Sequence, residues 1–260
     1  ARFSIIHVLE TNPEIETEGL KYVEKIEREA REHLDTIKRM AAEENIECEV
    51  VVRRDDQPHR AIADEAEKRN ADVIVMGRRG RSALDRMFIG SVTSKVIGYA
   101  PCNVLVVPRA AVINCKRILV ANDGSKYGEA AAAKAIDIAK RCGSELIAVS
   151  VVPSEMLSNI SPDTGFTQEQ IELMTREMLA VSERSVTSVV TAAQQAGVKV
   201  EQLVLGGRPY ETIVETAKEK RCDLIVVGSH GRTGLKKLFM GSVAERVIGL
   251  SPCAVLVVKK

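Results

Sequence analysis

This chain of 260 residues is poor in several residue types, and each shortage removes a class of function. It has no tryptophan and only 3% aromatic residues, too few for the stacking platforms that hold single-stranded nucleic acid. A net charge of +1 supplies no field that would draw nucleic acid or an acidic membrane surface. No apolar run reaches the roughly 18–20 residues of a membrane span, and no signal-peptide pattern opens the chain. The cysteines (Cys48, Cys102, Cys115, Cys142, Cys222 and Cys253) include no CxxC pair and have no His-rich segment beside them, which argues against zinc. With no export signal, reduced structural thiols in a cytoplasmic protein are expected rather than a disulfide framework. A Walker-type GxxxxGK[ST] loop is also missing.

What is present is an ordinary balance of 45% apolar and 28% charged residues, in a length that suits two domains. An internal repeat organises it. DVIVMGRRGRSALDRMFIGSVTSKVIGYAPCNVLVV (Asp72–Val107) recurs as DLIVVGSHGRTGLKKLFMGSVAERVIGLSPCAVLVV (Asp223–Val258), at a constant offset of 151 and with more than half the positions identical. That period far exceeds the roughly 20–50 residues of solenoid units, so each copy is a domain. The expected boundaries are 1–109 and 116–260. The connector starting at Pro108 spans at most ~30 Å, which makes the copies close neighbours.

In the second copy, short β-branched runs alternate with helical stretches. RILVA (Arg117–Ala121), ELIAVSV (Glu145–Val151), a run near Lys199–Leu205, DLIVVG and AVLVV read as buried parallel strands. Ser125 is placed to cap a helix that Gly143 ends. A long helix is expected over roughly Thr167–Ala196, another opened by Pro209, and another from near Ser242. In the first copy, Glu16–Asn45 is dense in Glu, Lys and Arg and reads as a solvated helix with intrahelical ion pairs. Such alternation predicts an α/β fold, a doubly wound parallel sheet with ligands at the carboxyl ends of its strands.

The chemistry is carried by Gly-x-x-Gly, nine residues, then Gly-Ser. The second copy has Gly228, Gly231, Gly241 and Ser242; the first has Gly77, Gly80, Gly90 and Ser91. Each follows a strand and leads into a helix. Glycines let backbone approach a phosphate, and the N–H groups and dipole at a helix start attract an anion. Ser242 and Ser91 can donate a hydroxyl or cap their helices.

On these motifs the whole chain resembles two fused universal stress protein domains of the ATP-binding subgroup. The resemblance implies an adenine nucleotide alpha hydrolase-like sheet of five strands in order 3-2-1-4-5, with ATP, ADP or AMP across the ends of strands one, two and four. It implies an acidic residue after strand one, Asp123, on the ribose or on a phosphate-bound Mg²⁺ or Mn²⁺. Ala121 and Asn122 should flank the adenine, with Val151 on strand two. Val227, Gly228, His230 and Gly231 should form the phosphate loop, closed by Gly241, Ser242 and Val243. Where the family often has Ser or Thr, this copy has Ala244, so one phosphate donor is expected to be missing.

The equivalent first-copy set is Val8, Gly77, Arg79, Gly80, Gly90, Ser91, Val92 and Thr93. That copy, however, opens at FSIIHVL (Phe3–Leu9), which aligns with strand two of the other, and has nothing matching RILVA, Asp123 or the helix after Ser125. A sheet with its central strand absent leaves unpaired backbone on both neighbours. The expectation is that a segment precedes Ala1 in the native protein, which an intact mass of 28.4 kDa would refute. Arg78 and Arg79 replace Ser229 and His230, either strengthening anion binding or forming a solvated pair.

The leading expectation is a nucleotide-binding regulatory protein of the stress response. The runner-up is a slow ATP hydrolase or nucleotidyl-transfer enzyme, disfavoured because no second metal-binding carboxylate or convincing base accompanies the loop. A third reading is a dimerisation domain without nucleotide. The twin VLVV strands predict an intrachain pseudo-dimer through the final edge strands. A homodimer of the chain is left open.

Overall fold

The computed structural model describes residues 2–11, 19–79, 89–153, 167–232 and 240–260. The first copy supplies β1 (Phe3–Glu10), α1 (Leu20–Glu43), β2 (Cys48–Asp55), α2 (Pro58–Lys68), β3 (Val73–Gly77), α3 (Ser91–Tyr99) and β4 (Asn103–Val107). The second supplies β5 (Arg117–Ala121), α4 (Lys126–Cys142), β6 (Glu145–Val152), α5 (Gln168–Gln195), β7 (Val200–Gly206), α6 (Pro209–Glu219), β8 (Leu224–Gly228), α7 (Ser242–Leu250) and β9 (Ala254–Val258).

Helix ends follow local chemistry. Ser125 caps α4 by accepting from Gly128 N at 3.1 Å, and Gly143 ends it in the left-handed region at φ 68°. Thr167 and Gln170 form a reciprocal capping box at the start of α5. Pro209 occupies the first turn of α6, where its lack of an N–H costs nothing. In α1 the Lys25–Glu29 and Glu27–Arg31 pairs sit four residues apart on an exposed face, as the charge pattern predicts.

Seven strands form one sheet in the order β3-β4-β9-β8-β5-β6-β7. Within it the five strands of the second copy are all parallel and run 3-2-1-4-5 by their order in that copy. Ile118, Val120, Leu146, Ala148, Leu224 and Val226 meet an alanine stripe on α4 (Ala131, Ala135, Ala139) and Val186, Val189 and Ala193 of α5. Alanine lets α4 lie close to the sheet, while each fully buried Val or Ile contributes about 1.5–3 kcal/mol.

β4 and β9 pair antiparallel, with Leu105 opposite Leu256, its own counterpart in the repeat. The two final edge strands therefore cover each other about a local pseudo-twofold axis, which removes both apolar edges from solvent. Two cations reach across this junction. Arg78 donates to the carbonyls of Ser251 at 2.8 Å and Ile248 at 3.4 Å, at the end of α7. Lys259 donates to those of Ile97 at 2.7 Å and Gly98 at 3.1 Å, in the last turn of α3. Each satisfies orphan carbonyls at the negative end of the other copy's last helix. Arg78 is thus engaged by the second copy's helix end rather than solvated. The junction claims its guanidinium.

The compact units divide at Asn70/Ala71 rather than in the connector. β1 and β2 form a two-stranded parallel sheet in the unit Ala1–Asn70, whereas β3 and β4 belong to the seven-stranded sheet of Ala71–Lys260. Hydrogen bonding sets the membership of each sheet: β4 is fastened to β9 and carries β3 with it, while among the described residues β1 and β2 pair with each other. In the smaller unit, Glu65 on α2 is buried between Arg53 at 2.5 Å and Arg69 at 2.6 Å. Arg69 also binds Glu49, and Glu27 holds Arg54 at 2.6 Å.

Candidate functional site

The carboxyl ends of β5, β6 and β8 lie together because these strands are parallel neighbours. From β5 the chain winds outward to β6 on one side and later returns to β8 on the other. That is the switch point where doubly wound sheets open a crevice.

Two loops lie at this switch point. After β5, Asn122 is buried: its N–H donates to Val149 O at 2.9 Å and its amide to Ser185 O at 3.0 Å, while its Oδ1 accepts from Gly124 N. It anchors the loop. Asp123 follows, half-buried, with Oδ1 accepting from Ser125 N at 3.0 Å and Oδ2 from Arg232 N at 3.1 Å. After β8, Ser229 N donates to Val258 O at 3.0 Å, and Gly241 N to Ser229 O at 2.9 Å. The far end of the glycine loop is thereby closed back onto its start.

Side chains have little room here. A Cβ on Gly231 would stand 2.9 Å from Asp123 Oδ2, and one on Gly241 would stand 3.3 Å from His230 Cα. The His230 ring lies 5.1 Å from that of Tyr127, with Nδ1 3.1 Å from Ser229 Oγ. Gly241 is the N-cap of α7, so Ser242 is its first helical residue and makes no side-chain cap. This corrects the expectation that Ser242 caps: the extended N-cap backbone belongs to Gly241. Ser91 behaves alike, behind the N-cap Gly90. The first intrahelical donor of α7 is Glu245 N, onto Gly241 O. The N–H groups of Ser242, Val243 and Ala244 therefore have no acceptor within the helix.

Ala121 and Val151 are half-buried at their strand ends, Val227 is buried within β8, and Val243 is exposed. In the first copy, Gly77, Arg79, Gly90, Ser91, Val92 and Thr93 belong to the unit Ala71–Lys260, Val8 belongs to Ala1–Asn70, and Gly80 lies outside the described residues. Buried Thr93 donates its hydroxyl to Gly77 O at 3.0 Å. Ala244, its counterpart in α7, has no hydroxyl with which to make the same tie. Among the described residues, no group of three His, Cys, Asp or Glu side chains is arranged to hold a metal ion, and no helix is long and apolar enough to cross a membrane.

The sequence model of the universal stress protein family matches residues 1–108 and again 114–259. The chain belongs to the universal stress protein family. A universal stress protein of Methanocaldococcus jannaschii is 40% identical over 146 residues, covering 56% of this chain and 82% of that relative. One from Mycobacterium tuberculosis is 35% identical over 195 residues, covering 73% of this chain but 62% of the relative, so the chain spans less than two thirds of its length. The crystal structure of a universal stress protein from Archaeoglobus fulgidus matches with a TM-score of 0.66 at 26% identity, over 92% of this chain and 79% of that one.

Four residues of this universal stress fold escape a reading of sequence alone. Arg232 donates through Nε to Asp123 O at 2.6 Å and through its N–H to Oδ2, tying the two loops together. Ser185 receives Asn122 from a helix 63 residues away. Tyr127 packs on the strand end at Gly228, and Gly128 sits where a Cβ would collide with Asn122 Oδ1. Only Gly128 carried a signal, being a glycine inside a helix, where the residue is otherwise unfavourable by about 1 kcal/mol.

Proposed function

We propose that the second copy binds an adenine nucleotide, its ribose against Asp123 and its phosphates over the main chain of Gly228–Gly231 and of Gly241 and Ser242 at the start of α7. The observation carrying this reading is the glycine loop beside a carboxylate: a Cβ on Gly231 would stand 2.9 Å from Asp123 Oδ2, so a side chain there would displace the carboxylate. Each carboxylate oxygen accepts one main-chain N–H, which leaves further acceptor capacity for ribose hydroxyls or a phosphate-bound Mg²⁺ or Mn²⁺. The N–H groups opening α7 suit an anion. Asn122 holds the loop from beneath, and Ala121 and Val151 offer the apolar shelf for a base. Occupancy then acts as a signal in the stress response, favouring one arrangement of the chain or its partners over another.

Titration calorimetry of the full chain with ATP, ADP and AMP tests this. At least one should bind, and Asp123→Ala should weaken it about tenfold to a hundredfold, the worth of a charge-assisted hydrogen bond. No heat from any of the three, and no adenine nucleotide released on denaturing the purified protein, would end the reading. Turnover in excess Mg²⁺ or Mn²⁺ that disappears in the same variant would move it to a hydrolase.

A further inference from the structure

Cys115 closes the connector that joins β4 to β5, and Cys142 is the last residue of α4. The two segments are held together by main chain. Glu145 N donates to Lys116 O at 2.9 Å, and the Ser144 hydroxyl donates to the Cys115 carbonyl. Cys115 adopts φ 48°, the left-handed region that a residue with a Cβ enters only under local constraint. The bonds from Ser144 and Glu145 bring the residues just after Cys142 against Cys115 and Lys116. Cys142 is exposed and Cys115 half-exposed, whereas Cys48, Cys222 and Cys253 are buried. Burial, and after it the neighbouring Cys142 and Asp223, push the Cys115 thiol up to about 11. It therefore stays protonated at neutral pH, and Cys142 is the member that meets solvent.

We propose that Cys115 and Cys142 are a peroxide-sensitive dithiol, which oxidation converts to a disulfide stapling the connector to the end of α4. The Cys142 sulfur, as thiolate, attacks one peroxide oxygen. The O–O bond breaks, giving a sulfenic acid and an alcohol, or water if the oxidant is hydrogen peroxide. The Cys115 sulfur then attacks the Cys142 sulfur. The S–S bond forms, the S–O bond breaks, and the departing hydroxide leaves as water with the Cys115 proton. Two electrons pass from the sulfurs to the peroxide. The staple encloses β5 and α4, the elements that flank Asp123.

The full-length chain is treated with hydrogen peroxide, its remaining thiols are alkylated, and it is mapped by mass spectrometry without reduction. The expected result is a linked peptide pair containing Cys115 and Cys142, an intact mass lower by about 2 Da, and recovery of both thiols with dithiothreitol. Cys115→Ser should abolish the linked pair and send Cys142 on to sulfinic acid. A Cys115 that remains fully alkylatable in the oxidised wild-type chain would overturn the proposal. So would a Cys142 found only as sulfinic acid, or linked to another cysteine. The wild-type map decides the matter even where the variant folds poorly.

Discussion

In the first copy a Cβ placed on Gly77 would meet, among the described residues, nothing nearer than the Arg79 carbonyl, at 3.5 Å; on its counterpart Gly228 it would stand 2.7 Å from the Tyr127 carbonyl. Two main-chain hydrogen bonds recur around both. Arg78 N bonds Val107 O and Gly90 N bonds Arg78 O, matching the bonds of Ser229 and Gly241 one repeat later. What differs is the surroundings. The second copy has a β5–α4 unit whose first turn presses on the strand end, and the first has no equivalent in this chain. Identical letters therefore record a requirement in one copy and none in the other. β3 shows this along its length: Val73 and Val75 are exposed, whereas β8 is buried from Leu224 to Val227.

The sharpest way to break this comparison is to add one methyl group to each loop. Gly228→Ala should destabilise the protein by about 1–3 kcal/mol, because backbone rather than a flexible side-chain tip stands in the way. Gly77→Ala should lie within about 0.5 kcal/mol of wild type, typical of an unconstrained surface position. Equal shifts in a urea unfolding series would mean that the loops are constrained alike.

Next in size are the two crossing cations, unlike residues that serve the pseudo-twofold junction in the same way. Arg78→Met and Lys259→Met should each cost about 1–2 kcal/mol, since buried carbonyls at a helix end lose a charged donor. Arg78→Met should leave nucleotide affinity unchanged. A loss of binding there would reinstate the guanidinium as a ligand.

Smaller still is the buried hydroxyl. Thr93→Ala should cost about 1 kcal/mol, the net worth of one hydrogen bond, and Ala244→Thr should change nucleotide affinity less than about twofold. A large gain in affinity for Ala244→Thr would show that the hydroxyl reaches phosphate in the second copy after all.

The gentlest test compares the two compact units under acid. In Ala1–Asn70, burial alone would raise the Glu65 carboxyl, but its hydrogen bond to Arg69 and the charges of Arg53 and Arg69 hold it below 4.5. The Arg31 and Arg54 hydrogen bonds lower Glu27 likewise. A depressed folded-state value means that the unfolded chain binds more protons, so this stability is present above pH 4.5 and is lost as pH falls through the folded value. The lowered acids of Ala71–Lys260 (Asp137, Glu145 and Glu211) lie on the surface, where pairing is screened. Hydrogen-exchange protection factors, corrected for the intrinsic rate at each pH, should therefore fall between pH 5 and pH 3 in β1, β2 and α2 before they do in β5, β6 and β8. The reverse order would show that the smaller unit does not depend on its ion pairs.

Much of this was legible in advance. The strands of the second copy are continuous apolar runs because helices cover both faces of a parallel sheet, and that pattern survives in one dimension. Ser125, Gly143, Thr167 and Pro209 mark helix ends because capping is a contact between residues a few positions apart. Asp123 and the glycine loop were legible as types at a spacing. Their joining by Arg232, and the support of Asn122 from Ser185, were not, because residues more than 60 positions apart meet there only through folding.

From its own letters this universal stress protein specified which segments become strands, where its helices begin, and that one unit occurs twice, since periodicity and caps act over a few residues. Folding alone decided that Arg78 would brace a distant helix end, that Thr93 would turn inward, and that the two halves of the first copy would enter different sheets. Those outcomes depend on which polar groups find partners once strands have paired, and pairing is settled in space rather than along the chain.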